Sequence, residues 1–200
     1  AREAALAPFG LGSRVFIVSV QASVTTSRIM KDRDEAVLRA LVALAKDPKV
    51  GPKAGWKPHE SLEESIQIIN TVFFAGTTWK IIDKKSGKII GCIGLEDDKK
   101  RPEIKSRELG YWLGRDFWNK GFMTEAAKAA IDYGFDKMEL DIISVCTAPE
   151  NKRSQKVIDK LGFSYEGTLR KAYRIYDGTD RDVLCYSITK EEWKNLQNNV

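Results

Sequence analysis

The stretch Glu108-Leu-Gly-Tyr-Trp-Leu-Gly-Arg-Asp-Phe-Trp-Asn-Lys-Gly-Phe-Met-Thr-Glu-Ala126 constrains this chain more than any other. Glu108 to Leu113 is expected to be a strand, and Gly114 to Gly121 a loop with a glycine at each end. Met123 to Lys137 reads as a helix whose polar stripe is Glu125, Lys128, Asp132 and Asp136. A strand that turns through such a loop into a helix presents the N–H groups of the first helical turn without intrahelical partners. The helix dipole adds positive potential there, so the turn is suited to an anion. Gly121 removes a Cβ where an anion must come close, Thr124 adds a hydroxyl and Lys120 a charge. The stretch fits neither G-x-x-x-x-G-K-[ST] nor G-x-G-x-x-G, so it is not either of those two nucleotide signatures.

Around this centre the elements follow in a definite order. Arg14 to Val20 is a short β-branched run. Asp34 to Lys46 carries Val37, Leu41 and Leu44 at helical spacing and is stopped by Pro48. A Gly/Pro loop from Val50 to His59 precedes Ser61 and Glu64, an S-x-x-E capping box that opens a helix ending near Gly76. Thr77 to Asp83 and Lys88 to Leu95 form a hairpin about Lys84 to Gly87. Asp97 to Lys105 reads as a solvated charged loop. Asp141 to Thr147 is a buried strand, and Pro149 to Leu161 a helix stopped by Gly162. Phe163 to Tyr176 and Asp182 to Thr189 are strands joined at Asp177-Gly178, and Lys190 to Gln197 is a last helix. This order gives an α+β domain, a mixed and mostly antiparallel sheet flanked by helices. Residues 30–200 form a single domain. Residues 1–29, which lack an initiating Met and are compositionally awkward, read as an added or poorly ordered segment.

The 200 residues carry 33 Lys+Arg against 28 Asp+Glu, a net charge of +5 that is too dispersed to indicate nucleic acid. Cys92, Cys146 and Cys185 are scattered and His59 is the only histidine, which excludes a zinc-ligand pattern and suggests reduced thiols in a cytoplasmic protein. Cys92 and Cys146 lie in apolar runs and read as small core residues. No apolar stretch is long enough to span a membrane.

A second motif lies downstream: Ala148-Pro-Glu-Asn-Lys-Arg-Ser-Gln-Lys-Val-Ile-Asp-Lys-Leu-Gly-Phe163. With Tyr111 to Gly114, Trp118 to Gly121 and Thr124 to Ala126, it makes the chain resemble the GNAT superfamily of N-acetyltransferases, most closely the ribosomal-protein-type branch. The resemblance spans roughly Gly55 to Thr189. It implies the acyl-CoA N-acyltransferase fold with splayed central strands, and acetyl-CoA as cosubstrate without a metal. It implies that Trp118, Asn119, Lys120, Gly121, Phe122 and Met123, with Thr124, bind the pyrophosphate. It further implies that Tyr111, Trp112 and Leu113 pair with the pantetheine arm, that Asn151 bonds it, and that Ser154 lies near the thioester sulfur. Met123 stands where the family has Gly or Ala, a change expected to crowd the loop. The family's opening strand is matched poorly, by Thr26 to Met30.

The resemblance implies direct attack of an amine on the thioester. Ser154 is the candidate acid for the leaving thiolate, and Glu96 or Glu108 the candidate base, each weighed against a plain solvated charge at a strand end. Tyr165 and Tyr176 are weaker candidates for the acid. Trp56 and His59 are placed at the acceptor side by the resemblance. The acceptor is expected to be the N-terminal amine of a ribosomal or other protein. The alternatives are a small-molecule amine and a non-catalytic acyl-CoA-binding module. The oligomeric state, monomer or homodimer, is left open.

Overall fold

The computed structural model describes residues 13–19, 43, 46–47, 49–51, 57, 61, 64 and 77–198. The expected helices over 34–46 and after Ser61, the Thr26 to Met30 strand, Trp56 and His59 lie outside or almost outside these residues. At the start of the second helix, the Glu64 N–H donates to Ser61 Oγ at 2.9 Å, half of the expected capping box. The strands are β1 Val15–Ser19, β2 Thr77–Asp83, β3 Ile89–Asp97, β4 Ser106–Leu113, β5 Ile142–Thr147, β6 Ser164–Arg174 and β7 Asp180–Thr189. The helices are α1 Phe122–Asp136, α2 Lys152–Lys160 and α3 Lys190–Asn198. Their sheet order is β1-β2-β3-β4-β5-β7-β6. The α+β expectation holds, and the described element ends fall within a few residues of those read from the sequence.

The chain divides into two compact units: residues 1–94 with 111–129, and residues 95–110 with 130–200. In the first, β1 pairs antiparallel with β2 from Val15↔Asp83 to Ser19↔Trp79. Val15 and Ile17 are buried while Phe16 between them is exposed, the period of two that a half-buried strand requires. Trp79, Ile81, Ile90, Ile93, Met123, Ala126 and Ala127 are also buried there. The β2–β3 hairpin closes through Asp83 N–H to Lys88 O at 3.0 Å.

In the second unit, β5 pairs with β7 from Ile142↔Thr189 to Thr147↔Leu184, and β6 pairs with β7 through two register shifts. The second half of α1 lies close on this sheet. A Cβ on Gly134 would come within 2.9 Å of Ile143 Cδ1 and 3.0 Å of Leu95 Cδ1, so a larger residue there would have to push these side-chain ends aside. The polar stripe of α1 is partly covered: Asp132 accepts from the Trp193 indole and the Gln197 amide of α3, each at 2.8 Å. Helix α3 opens with its own capping box. The Thr189 hydroxyl and N–H donate to Glu192, and the Glu192 N–H donates to Thr189 Oγ1 at 3.2 Å.

Candidate active site

In the first unit the chain leaves β4 at Leu113, and the Gly114 N–H donates to Ile90 O at 2.8 Å. Arg115–Phe117 make one 3-10 turn. The Trp118 indole reaches back to Leu113 O at 2.7 Å, Lys120 Nζ bonds Asp116 O at 2.7 Å, and Arg115 pairs with Asp47 at 3.3 Å. Lys120 therefore braces the loop as well as charging it. Asn119 and Gly121 take positive φ of 59° and 82°. Asn tolerates that region, whereas at Gly121 a Cβ would lie 3.0 Å from Arg14 Nη2. The first helical bond of α1 runs from Glu125 N–H to Gly121 O at 3.1 Å. The N–H groups of Phe122, Met123 and Thr124 thus face out of the helix start with no acceptor inside the helix. Met123 is buried at 6 % exposure, so its side chain packs away from solvent.

In the second unit the parallel β4–β5 ladder runs for three pairs, Ser106↔Ile142, Arg107↔Ile143 and Glu108↔Ser144. It ends three residues before Tyr111. On β5, Ser144 and Cys146 share a face, opposite Ser187 and Cys185 of β7. A charge network covers this face. Asp98, with a side chain 0 % exposed, accepts from Ser144 Oγ at 2.8 Å and from Arg101 Nη1 at 3.0 Å, and lies 3.5 Å from Lys100 Nζ. Lys100 also donates to Glu108 Oε2. Arg101 reaches Glu166, which accepts from Ser187 Oγ at 2.8 Å as well. Burial alone would raise Asp98, but the bonds from Ser144 and Arg101 and the nearby Lys100 hold it below the ordinary carboxylate range. The 97–105 loop is therefore not simply solvated, because Asp98, Lys100 and Arg101 anchor it to β5, β4 and β6.

Glu96 behaves oppositely. Its carboxyl lies over β4, with Oε1 3.8 Å from where a Cβ on Gly110 would stand. Loss of hydration, and then the charge of Glu108, raises it above the ordinary range. Among the described residues no donor hydrogen-bonds or pairs with Glu96. Of the two candidate bases, Glu108 is thus engaged by Lys100 and Glu96 is not.

Ser154 sits half-buried in the first turn of α2, where its N–H donates to Asn151 Oδ1 at 3.3 Å. Asn151 is the N-cap of that helix, a local task for one of its side-chain atoms. Tyr165 and Tyr176 are 57 % and 51 % exposed, as surface aromatics are. Cys92 is a core residue as expected. Cys146 is only half-buried, because it faces the polar side of β5, and its Sγ lies 3.4 Å from Cys185 Sγ. Burial and the Glu108 charge push the Cys146 thiol up, which keeps it protonated. Sequence reasoning missed Asp98, Lys100, Arg101 and Glu166. The run of opposite charges from Asp97 to Arg101 was the signal for the first three, and it names no partners; Glu166 had none.

Residues 28–164 match the acetyltransferase (GNAT) domain. The chain belongs to the GNAT acetyltransferase family. It is 35% identical over 155 residues to p20 of Bacillus licheniformis, an uncharacterized N-acetyltransferase, covering 74% of this chain and 84% of that one. It is 29% identical over 140 residues to the [ribosomal protein uS5]-alanine N-acetyltransferase of Escherichia coli K12, covering 70% and 69%. The fold is shared with the spermidine N-acetyltransferase of Vibrio cholerae, solved in complex with CoA and spermine, at a TM-score of 0.71 and 21% identity. That match covers 92% of this chain and 100% of the other. This GNAT protein is an acetyl-CoA-dependent N-acetyltransferase. The N–H donors at the start of α1, beside a residue with no Cβ, fit a phosphate-bearing cosubstrate. Among the described residues no three His, Cys, Asp or Glu side chains group to hold a metal, and no helix is long and apolar enough to cross a membrane.

Proposed function

We propose that this enzyme acetylates a singly charged amine, the N-terminal amine of a protein, in preference to a polyamine. The supporting observation is the state of the carboxylates in the second unit. Asp97 is paired with Arg107, Asp98 with Lys100 and Arg101, Glu108 with Lys100, and Glu166 with Arg101. Among the described residues only Glu96 of this group has no hydrogen-bond or ion-pair partner, Lys99 acting on it at a distance alone. One unmatched carboxylate suits one ammonium, whereas a polycation would gain little from anions already neutralised. The E. coli relative, named for acetylating an alanine of a ribosomal protein, agrees with this reading.

Acetyl-CoA supplies the acetyl group as a thioester, activated toward an amine. The Phe122 to Thr124 N–H groups hold its phosphates, with Trp118 to Gly121 shaping the loop. Backbone groups of Tyr111 to Leu113 align the pantetheine arm, and Asn151 bonds it. Glu96 accepts the proton of the acceptor ammonium at its carboxylate. An α-amino group, with a pKa near 7.7–8.0, is already partly neutral at pH 7, so a carboxylate of modestly raised basicity is enough. Glu108, held by Lys100, raises that basicity through its charge. The neutral amine bonds to the thioester carbon and the C–S bond breaks; Ser154 Oγ–H protonates the leaving thiolate as the nitrogen's surplus proton passes to Ser154 Oγ, giving the amide and the CoA thiol. Trp56 and His59 are assigned to the acceptor side.

Thiol release from acetyl-CoA should show a kcat/KM at least about 100-fold higher for peptides beginning with Ala or Ser than for spermidine. A preference for spermidine would overturn the proposal. Glu96→Gln should lower kcat about 100-fold. It should also remove the part of the fall in rate toward low pH that protonation of Glu96 causes, leaving the part due to protonation of the amine.

A further inference from the structure

We infer that Ser13 and Arg14, at the start of β1, form a clasp that makes the phosphate loop compatible with an anionic cosubstrate, with Arg14 as a positioning residue for acetyl-CoA binding. The inference rests on the acetyl-CoA reading of the loop. Glu125 lies in the first turn of α1, one turn from the N–H groups assigned to the phosphates. An unmatched carboxylate there would repel a pyrophosphate. The start of β1 matches it completely. The Arg14 N–H and the Ser13 hydroxyl both donate to Oε1, the latter at 2.8 Å, and Arg14 Nε pairs with Oε2 at 3.2 Å. Burial works to raise Glu125, but these donors hold it below the ordinary carboxylate range, so it stays ionised and compensated.

The same guanidinium shapes the loop. Arg14 Nη2 donates to Lys120 O at 2.8 Å, the carbonyl that leads into Gly121, and its head lies 4.8 Å from the centre of the Phe122 ring. One side chain thus fixes the peptide before Gly121, the ring after it and the anion four residues on. These contacts come from a segment that precedes the family match, which begins at residue 28.

Steady-state kinetics on the full chain test the clasp, with wild-type turnover first confirming that acetyl-CoA is used. Arg14→Ala should raise KM for acetyl-CoA about 10-fold or more with kcat within about 2-fold. The loss should shrink as salt is added, because it is charge repulsion. Adding Glu125→Gln to Arg14→Ala should recover at least half of that loss on a logarithmic scale, and Arg14→Lys should be intermediate. Glu125→Gln alone, which frees the guanidinium for the phosphates, should leave KM unchanged or lower. This single variant also decides the matter if Arg14→Ala fails to fold. An unchanged KM in folded Arg14→Ala, no recovery in the double variant, or a KM raised more than about 3-fold by Glu125→Gln would overturn the inference.

Discussion

The loop of the first unit, proposed to hold phosphates, and the charge network of the second are both polar, yet they are built from different materials. The loop works through backbone: three N–H groups, one glycine and a carbonyl, all set within the residues from Gly114 to Glu125. The network works through side chains brought from β3, β4, β5, β6 and β7 and matched charge to charge. A site made of backbone depends on conformation and tolerates many side chains. A network made of charges depends on every partner at once. Breaking each in its own way separates the two.

The largest effect is expected at Gly121→Glu. This variant puts a Cβ into a left-handed residue and an anion where phosphates belong, and should weaken acetyl-CoA binding about 1,000-fold or more. Calorimetric titration would show it, with the thermal midpoint lowered by only a few degrees, since left-handed strain costs about 1–2 kcal/mol. An unchanged affinity would mean that the loop is only a turn. Next comes Asp98→Ala, which strips Ser144, Arg101 and Lys100 of their shared acceptor. It should cost about 3 kcal/mol of stability, roughly 6–12 °C in the thermal midpoint, with acetyl-CoA affinity of the folded protein within about 2-fold. The pH dependence has a definite sign. A carboxylate held below its ordinary value contributes stability above about pH 4, and loses it as pH falls through the lower folded value. Asp98→Ala should therefore flatten the acid limb of the stability profile. The smallest effect is at Ser154→Ala, about 10-fold in kcat with affinity unchanged. Equal turnover would remove Ser154 from the chemistry.

This contrast also explains what could be read from the chain alone. The loop was legible because its determinants are local: Gly121, the start of α1 and the strand ahead of it lie within a few residues of each other. The same holds for the turn at Asp177-Gly178, where the Gly178 N–H donates to Ile175 O at 3.0 Å. The choice between Glu96 and Glu108 was not legible, because it turns on Lys100, eight residues from Glu108, folding back onto one of them. Arg14 was invisible for the same reason, since its partner Glu125 is 111 residues away. The sequence offered Arg14 only as the edge of a β-branched run, in a segment whose place in the fold was in doubt. Asn151 stands between these cases: its cap on α2 is local, and its proposed contact with a cosubstrate is not.

The strand at the end of the sheet order, β6, is long and carries Tyr165, Leu169 and Tyr173 on exposed positions. A flat strand of that kind would be a template for another chain to join. Its pairing with β7 is interrupted between Tyr165 and Gly167 and again between Leu169 and Tyr173, with Lys171 at φ 48° and its N–H turned to the Asp182 carboxylate at 2.8 Å. The rim therefore cannot present an unbroken ladder of donors and acceptors to a neighbour. Interruptions of this kind, with cations beside them, make an exposed edge a poor template for strand addition.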